Sequence, residues 1–162
     1  MNKSIYSKYV FYFFLFFSIF TLDRISKIYI LNIANNEELN IYINEFLNII
    51  LIWNTGIGFG LLSFNDNFLY NAITFIILLI NFILIYLAVA SNSIKRILYI
   101  VILGGSFGNL FDRFYYSAVP DFIDINFNGY HWFVFNVADI FISIGITCLI
   151  FMEILDYKKL SK

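Results

Sequence analysis

The sequence predicts a membrane all-α bundle of four transmembrane helices carrying a small extracytoplasmic β-rich segment. Three observations predict it. Of the 162 residues, 61% are hydrophobic and only 13% are charged, whereas an ordinary soluble domain is roughly 45–50% apolar and about 25% charged. A soluble fold of this length could not hide so much apolar surface, because most residues of a small domain touch water. Four stretches supply the about 20 apolar residues that a helix needs to cross a hydrocarbon core about 30 Å thick. The alternation of a membrane β-barrel is absent, and lipid cannot satisfy open backbone groups. Finally, the basic residues fall on alternate connections, as the positive-inside rule requires.

Composition also excludes. Disorder needs low hydrophobicity. Nucleic acid is not an expected partner, since 10 Lys+Arg against 11 Asp+Glu leave no basic excess to neutralise phosphates. The single cysteine, Cys148, and the single histidine, His131, exclude an internal disulfide, a multi-cysteine zinc site and a multi-histidine cluster. No metal and no cofactor is expected. Length bounds the chain to a single membrane domain, residues 1–162.

The first transmembrane helix is expected at about 9–30. Lys3 and Lys8 precede it as in a signal peptide, but no small-residue cleavage site follows; Asp23-Arg24-Ile25-Ser26-Lys27 does. An outer segment, about 31–67, is too long to be a bare turn. Residues 41–53 are rich in Ile, with Tyr42, Phe46 and Trp53, and read as two short strands. Asn54-Thr55-Gly56 breaks that run as a turn. Gly56, Gly58 and Gly60 then alternate with Ile57 and Phe59, a segment expected to lie on or dip into the outer interface. The second helix is expected at about 68–90, the third at about 95–113, an outer loop at about 114–131, and the fourth helix at about 132–155.

Orientation follows from charge. Lys3, Lys8, Lys95, Arg96, Lys158, Lys159 and Lys162 lie at the two termini and in the connection between the second and third helices. With four crossings all seven share one side, the cytoplasm. Both termini are therefore expected inside the cell. Arg24, Lys27 and Arg113 sit at the outer helix ends and need a separate reason.

Ionisable groups inside a membrane are the informative residues. Asp139 is expected about 10 Å below Trp132, which marks the outer interface. A carboxylate there costs about 2.5–3.5 kcal/mol on insertion scales. Asn136 and Ser143 fall on its helix face. The third helix ends with Gly104 and Gly108, a small-xxx-small pair that permits close helix approach, and then with Asn109, Asp112 and Arg113. Asp121 and Asp124 follow in Val119-Pro120-Asp121-Phe122-Ile123-Asp124. Asp121 and Asp139 stand on the two arms of a helix–loop–helix and can meet near the outer leaflet. Two close carboxylates cannot both ionise easily, so one keeps a proton. The ionised one can take a proton from water while the other donates to a carbonyl oxygen, the chemistry of aspartic peptide hydrolysis. Asp23 and Lys27 add an i,i+4 pair on the first helix. Asn54 and Gly56 add a polar turn on the same side.

Two other readings compete. Gly104-Gly105-Ser106-Phe107-Gly108 fits the G-x-S-x-G nucleophile pattern, and Ser106 could pair with His131 in a serine intramembrane protease, but that pattern requires a strand–turn–helix context. A small proton- or ion-coupled transporter could use buried acids, but the cytoplasmic half offers only Glu153 and Asp156, next to lysines. Cys148 has no base nearby and reads as a core residue.

Five blocks, in order along nearly the whole chain, resemble signal peptidase II, the bacterial lipoprotein signal peptidase family. They are Asp23-Arg24-Ile25-Ser26-Lys27, Asn54-Thr55-Gly56-Ile57-Gly58-Phe59, the run from Gly104 to Arg113, Val119-Pro120-Asp121-Phe122-Ile123-Asp124, and Phe135-Asn136-Val137-Ala138-Asp139. The resemblance implies that Asp121 and Asp139 form the catalytic dyad. It implies that Asn109, Arg113 and Asn136 hold the dyad and substrate, and that Asn54 and Gly56 form a substrate-facing turn. Asp23, Lys27 and Asp112 are expected as structural polar residues. The outer segment is similar to that family's β-cradle and interfacial helix. The implied substrate is a prolipoprotein whose cysteine already carries diacylglycerol, cut just before that cysteine. Partners would be lipid-modified prolipoprotein signal peptides and membrane lipids; nothing requires a dimer, so a monomer is expected. The implied location is the bacterial cytoplasmic (inner) membrane, with the active site near its outer face. Arg24, Gly58 and Ser106 depart from the family's usual Gln, Ala and Ala. None touches the dyad, and Arg24 is expected to alter the outer-surface charge.

Overall fold

The computed structural model describes residues 3–35, 39–56, 67–91, 93–127 and 130–160. In chain order these form α1 (Lys3–Ala34), β1 (Asn40–Asn44), β2 (Leu47–Asn54), α2 (Asn67–Ala90), α3 (Ser93–Tyr116), β3 (Val119–Phe127), β4 (Tyr130–Phe135) and α4 (Val137–Leu160). Three helices among the described residues are long and apolar enough to cross a membrane, over Phe68–Ala90, Ile94–Tyr116 and Val137–Lys158. The chain is a multi-pass membrane protein.

The burial pattern is inverted relative to a soluble fold. The largest fully buried side chains are Lys27, Asn81, Asn136, Asp23, Asp112, Asp121 and Asp124, with Pro120 the one apolar member. Phe13, Phe14, Phe75, Phe82, Tyr86, Phe151 and many other large apolar side chains face outward. Lipid solvates such an exterior, so the apolar residues need no protein partner, while the polar ones must find partners inside.

Helix α3 is the central element. It packs on α1, α2 and α4, and α1 also meets α4. Small residues make these approaches possible. A Cβ on Gly104 would stand 2.9 Å from the Ile19 side chain, and one on Gly108 would overlap Asp23 on the same helix, α1. A Cβ on Gly105 would stand 2.5 Å from the Ala138 carbonyl oxygen of α4. The small-xxx-small pair thus seats α3 against α1, and its neighbour seats it against α4.

The four strands form one antiparallel sheet in the order β1-β2-β3-β4. The two strands expected within 41–53 are β1 and β2, joined at a turn where the Phe46 amide donates to Asn44 Oδ1 at 2.9 Å. Residues 36–38 and 57–66 of the outer segment, where the expected interfacial helix would fall, lie outside the described residues.

Two expectations are corrected here. The outer loop is not a loop: α3 continues to Tyr116, and β3 and part of β4 follow. The last helix does not begin at 132. Residues Tyr130–Phe135 are strand β4, and α4 starts at Val137. Asp139 therefore stands in the first turn of α4, not about two turns inside it. A short aromatic run before a helix cannot be told from the helix itself by hydrophobicity alone. The sheet is continuous with the bundle at this end, since β3 leaves α3 and β4 leads into α4.

Pro120 sits where the sheet tolerates it. β3 pairs with β2 from Asn54↔Val119 to Leu47↔Ile125, but with β4 only from Ile123 onward. The missing N–H of Pro120 faces no β4 ladder. The same gap leaves Asp121 free of β4 and turned toward the helices.

Candidate active site

The site begins at the N-terminus of α4. Asn136 precedes the helix, and the Asp139 amide donates to its Oδ1 at 3.2 Å. In return the Asn136 amide donates to Asp139 Oδ2 at 3.2 Å. This is a reciprocal capping box with Asn at the cap and Asp at the third position. The next free donor, the Ala138 amide, is taken by Asp23 Oδ1 of α1 at 3.0 Å. Ordinary helix-capping requirements thus place Asp139, and they explain why the helix starts where it does.

Strand β3 supplies the second carboxylate. Asp121 Oδ1 accepts from Asn136 Nδ2 at 2.6 Å, and its Oδ2 accepts from Asn54 Nδ2 at 2.8 Å. Asn136 therefore touches both acids. Asn54 is held in turn by the Gly56 amide, which donates to its Oδ1 at 2.8 Å. Asp121 is 2% exposed and Asp139 7% exposed. Burial, and next the charge of Asp139, push the Asp121 carboxyl up to about 7, against the opposing hydrogen bonds from Asn54 and Asn136 and the charge of Lys27.

Helix α3 contributes the third side. Asn109 Nδ2 donates to Asp139 Oδ1 at 2.8 Å, and its Oδ1 accepts from Lys27 Nζ at 2.8 Å. Lys27 also reaches Asp23 Oδ2 at 3.0 Å and Asp112 Oδ2 at 2.6 Å. Arg24 pairs with Asp23 at 3.0 Å and Asp112 at 2.5 Å, with its guanidinium 4.9 Å from the centre of the Phe111 ring. This corrects the expectation for Arg24: it is 8% exposed and completes a buried cluster of two cations and two anions. Arg113 donates to the Gly56 carbonyl and stands 5.4 Å over the Tyr70 ring, while the Tyr70 hydroxyl donates to the Arg113 carbonyl at 3.0 Å.

A cavity of about 410 Å³ joins these groups. Its polar wall is Asn54, Asn109, Arg113, Asp121, Asn136 and Asp139. Its apolar wall is Ile77 and Ile80 of α2, Ile142 and Ile146 of α4 and Val119 of β3, and Ser106 and Ser143 also reach it. The ten residues singled out from the sequence thus form one connected network. Asp23, Lys27 and Asp112 lie behind the cavity, and Gly56 stands at its edge.

His131 does not join it. Its Nδ1 lies 2.7 Å from Asp124 Oδ2, beside Asn48 Nδ2 at 3.3 Å from the same oxygen. The lone histidine is thus committed on the sheet, and it does not line the cavity that Ser106 lines. The Ser106/His131 arrangement is not formed. Sequence reasoning missed this Asn48–Asp124–His131 group, which depends on strand register. It also missed the apolar cavity wall, whose four isoleucines resemble every other membrane-facing isoleucine.

Residues 15–155 match the family described as Signal peptidase (SPase) II. The chain belongs to the signal peptidase II family. It is accordingly a protease, and the earlier resemblance is borne out. A lipoprotein signal peptidase of Pelagibacter ubique is 53% identical over 133 residues, which are 82% of this chain and 80% of the relative. One from Anaplasma phagocytophilum is 37% identical over 136 residues, 82% of this chain and 84% of that one. Among solved structures, a bacterial membrane enzyme determined by the in meso method at 2.3 Å superposes with a TM-score of 0.74 at 28% identity, covering 91% of this chain and 90% of the other.

Proposed function

We propose that this signal peptidase II cleaves diacylglyceryl-modified prolipoproteins just before the lipid-bearing cysteine, with Asp121 and Asp139 as the catalytic pair. The observation that carries the reading is the pair itself: two buried carboxylates bridged by Asn136 at the head of a half-apolar cavity. Asp121, held up to about 7, keeps a proton near neutrality and serves as the acid. Asp139 serves as the base. It takes a proton from water as the water oxygen adds to the scissile carbonyl carbon, and Asp121 protonates the carbonyl oxygen. The tetrahedral diol then collapses. Its proton and that on Asp139 return to Asp121 and the leaving nitrogen, the C–N bond breaks, and a carboxyl terminus and a free cysteine amine result.

Asn54 and Asn136 orient Asp121, and Asn109 orients Asp139. Arg113, tied to the Gly56 turn, holds the substrate backbone beside them. The isoleucine wall between α2 and α4 suits an apolar signal-peptide helix, and the lipid exterior suits the diacylglyceryl chains. We place α1 as the fourth crossing, with both termini in the cytoplasm, the sheet and site at the outer face of the cytoplasmic membrane, and the protein as a monomer. The seven basic residues at the termini and in the 91–96 connection support that orientation.

The test is cleavage by purified protein. A diacylglyceryl-modified precursor is expected to be cut before its cysteine, as read by mass spectrometry, and the unmodified precursor to stay intact. Equal cleavage of both would remove the lipid requirement. Activity abolished by Ser106→Ala with His131→Ala, and retained in both Asp→Asn variants, would replace the aspartic reading.

A further inference from the structure

Three asparagine amides face the two carboxylates. An amide can turn over and exchange Nδ2 for Oδ1. Its nitrogen side donates to a carboxylate, whereas its oxygen side can only accept and so suits a protonated acid. Each asparagine therefore needs a second contact that fixes which side faces inward.

Asn54 has such a contact in the Gly56 amide, and Asn136 has one in the Asp139 amide. Both are backbone donors, built into the turn and the helix cap. Asn109 differs. Its oxygen accepts from a side chain on another helix, Lys27 of α1. An ammonium carries donors and no acceptor, so only the oxygen of Asn109 can face it. Lys27 has no exposed surface, and its contacts with Asp23, Asn109 and Asp112 match its three N–H groups to three acceptors. Arg24 holds the other oxygen of Asp112, and so keeps that carboxylate from turning away.

We infer that Lys27 is a positioning residue of the peptidase site: through Asn109 it fixes the amide orientation that presents N–H to Asp139, and so sets the protonation range of the carboxylate pair. The inference rests on Asp121 and Asp139 being the catalytic pair. It gives the buried cluster on α1 a role in catalysis as well as in packing.

The test conserves charge. Lys27→Met combined with Asp112→Asn leaves the Asp23–Arg24 pair and removes the donor behind Asn109. With a diacylglyceryl-modified peptide, kcat is expected to fall about tenfold with KM little changed. The acid limb of the pH–kcat/KM profile is expected to move to higher pH, because a turned amide favours the protonated pair. Adding the same two substitutions to Asn109→Leu is expected to cost nothing further, since Lys27 acts through that amide. Effects that multiply, with the acid limb in place, would overturn the inference. If the double variant does not accumulate, Lys27→Gln with Asp112→Asn carries the test, because it conserves charge, keeps hydrogen-bonding groups in the buried space and no longer forces the Asn109 oxygen toward α1. A displaced acid limb that disappears as a further effect in the Asn109→Leu background supports the inference, and a wild-type profile or an equal displacement in both backgrounds overturns it. Cleavage surviving Asp121→Asn would instead sink the catalytic pair, which separates the two failures.

Discussion

The two ends of the helical bundle handle charge in opposite ways. At the sheet end, Asp23, Lys27 and Asp112 have fully buried side chains, and Arg24 is nearly so. At the far end, Lys95 bridges Glu153 and Asp156, whose side chains are 63% and 50% exposed. The distances are alike, at 2.6 Å for both Lys27–Asp112 and Lys95–Glu153. What differs is the solvent. An exposed pair exchanges water for a partner at little net gain. A buried cluster has lost water altogether, and each member then depends on the others. Hydrogen-bond distance therefore says little about importance here, and burial says much. Among the described residues, only the buried end connects onward, through Asn109 and Ala138, to the acids at the cavity.

The largest effect should come from breaking the buried cluster without compensation. Lys27→Met alone leaves two buried carboxylates sharing the single charge of Arg24, and breaking a buried ion cluster in this way costs about 3–5 kcal/mol. The variant should accumulate poorly in membranes and melt well below the parent in detergent, as differential scanning fluorimetry would read. A melting point equal to the parent would erase the contrast between the two ends.

Titration comes next. Asp121 ionises at about 7 in the folded protein, above the ordinary value for an unfolded aspartate, about 3.9. A raised acid binds its proton more tightly when folded. Its contribution to stability is therefore present below about pH 4 and lost as pH rises through about 7, a change on the order of a few kcal/mol. Asp121→Asn should flatten that dependence and melt higher than the parent at pH 8. In the parent, kcat/KM should fall above about pH 7 as the pair loses its shared proton. A rate constant flat from pH 7 to 9 would contradict this.

The smallest effect should be at the far end. Lys95→Met is expected to leave the melting point and kcat/KM unchanged within error. A large loss there would mean that the exposed cluster shares the dependence of the buried one.

The sequence made the acids legible because they are expensive in lipid. Asp139, Asp121 and the polar end of α3 stood out against an apolar background, and the structure joins them in one network. The strands were less legible. Residues 119–127 mix acids with apolar residues and include a proline, and residues 130–135 are an aromatic run. Neither pattern distinguishes a loop or a helix extension from a strand, and register decides. Arg24 was legible as a charge but not as a buried one. Its burial depends on Gly104 and Gly108 bringing α1 against α3, so that Asp112 lies within reach. The capping box shows the same limit. Their spacing predicts Asn136 and Asp139 on one helical face, whereas Asn136 stands just outside the helix and caps it, which brings it to Asp121 as well.

Most directly at issue is whether the two aspartates carry the reaction. Asp121→Asn and Asp139→Asn should each be assayed against a diacylglyceryl-modified precursor, alongside membrane accumulation of each variant. Both variants should accumulate and both should lose cleavage by about a thousandfold or more, as expected when one member of an acid–base pair is removed. Normal cleavage by either one would contradict the account.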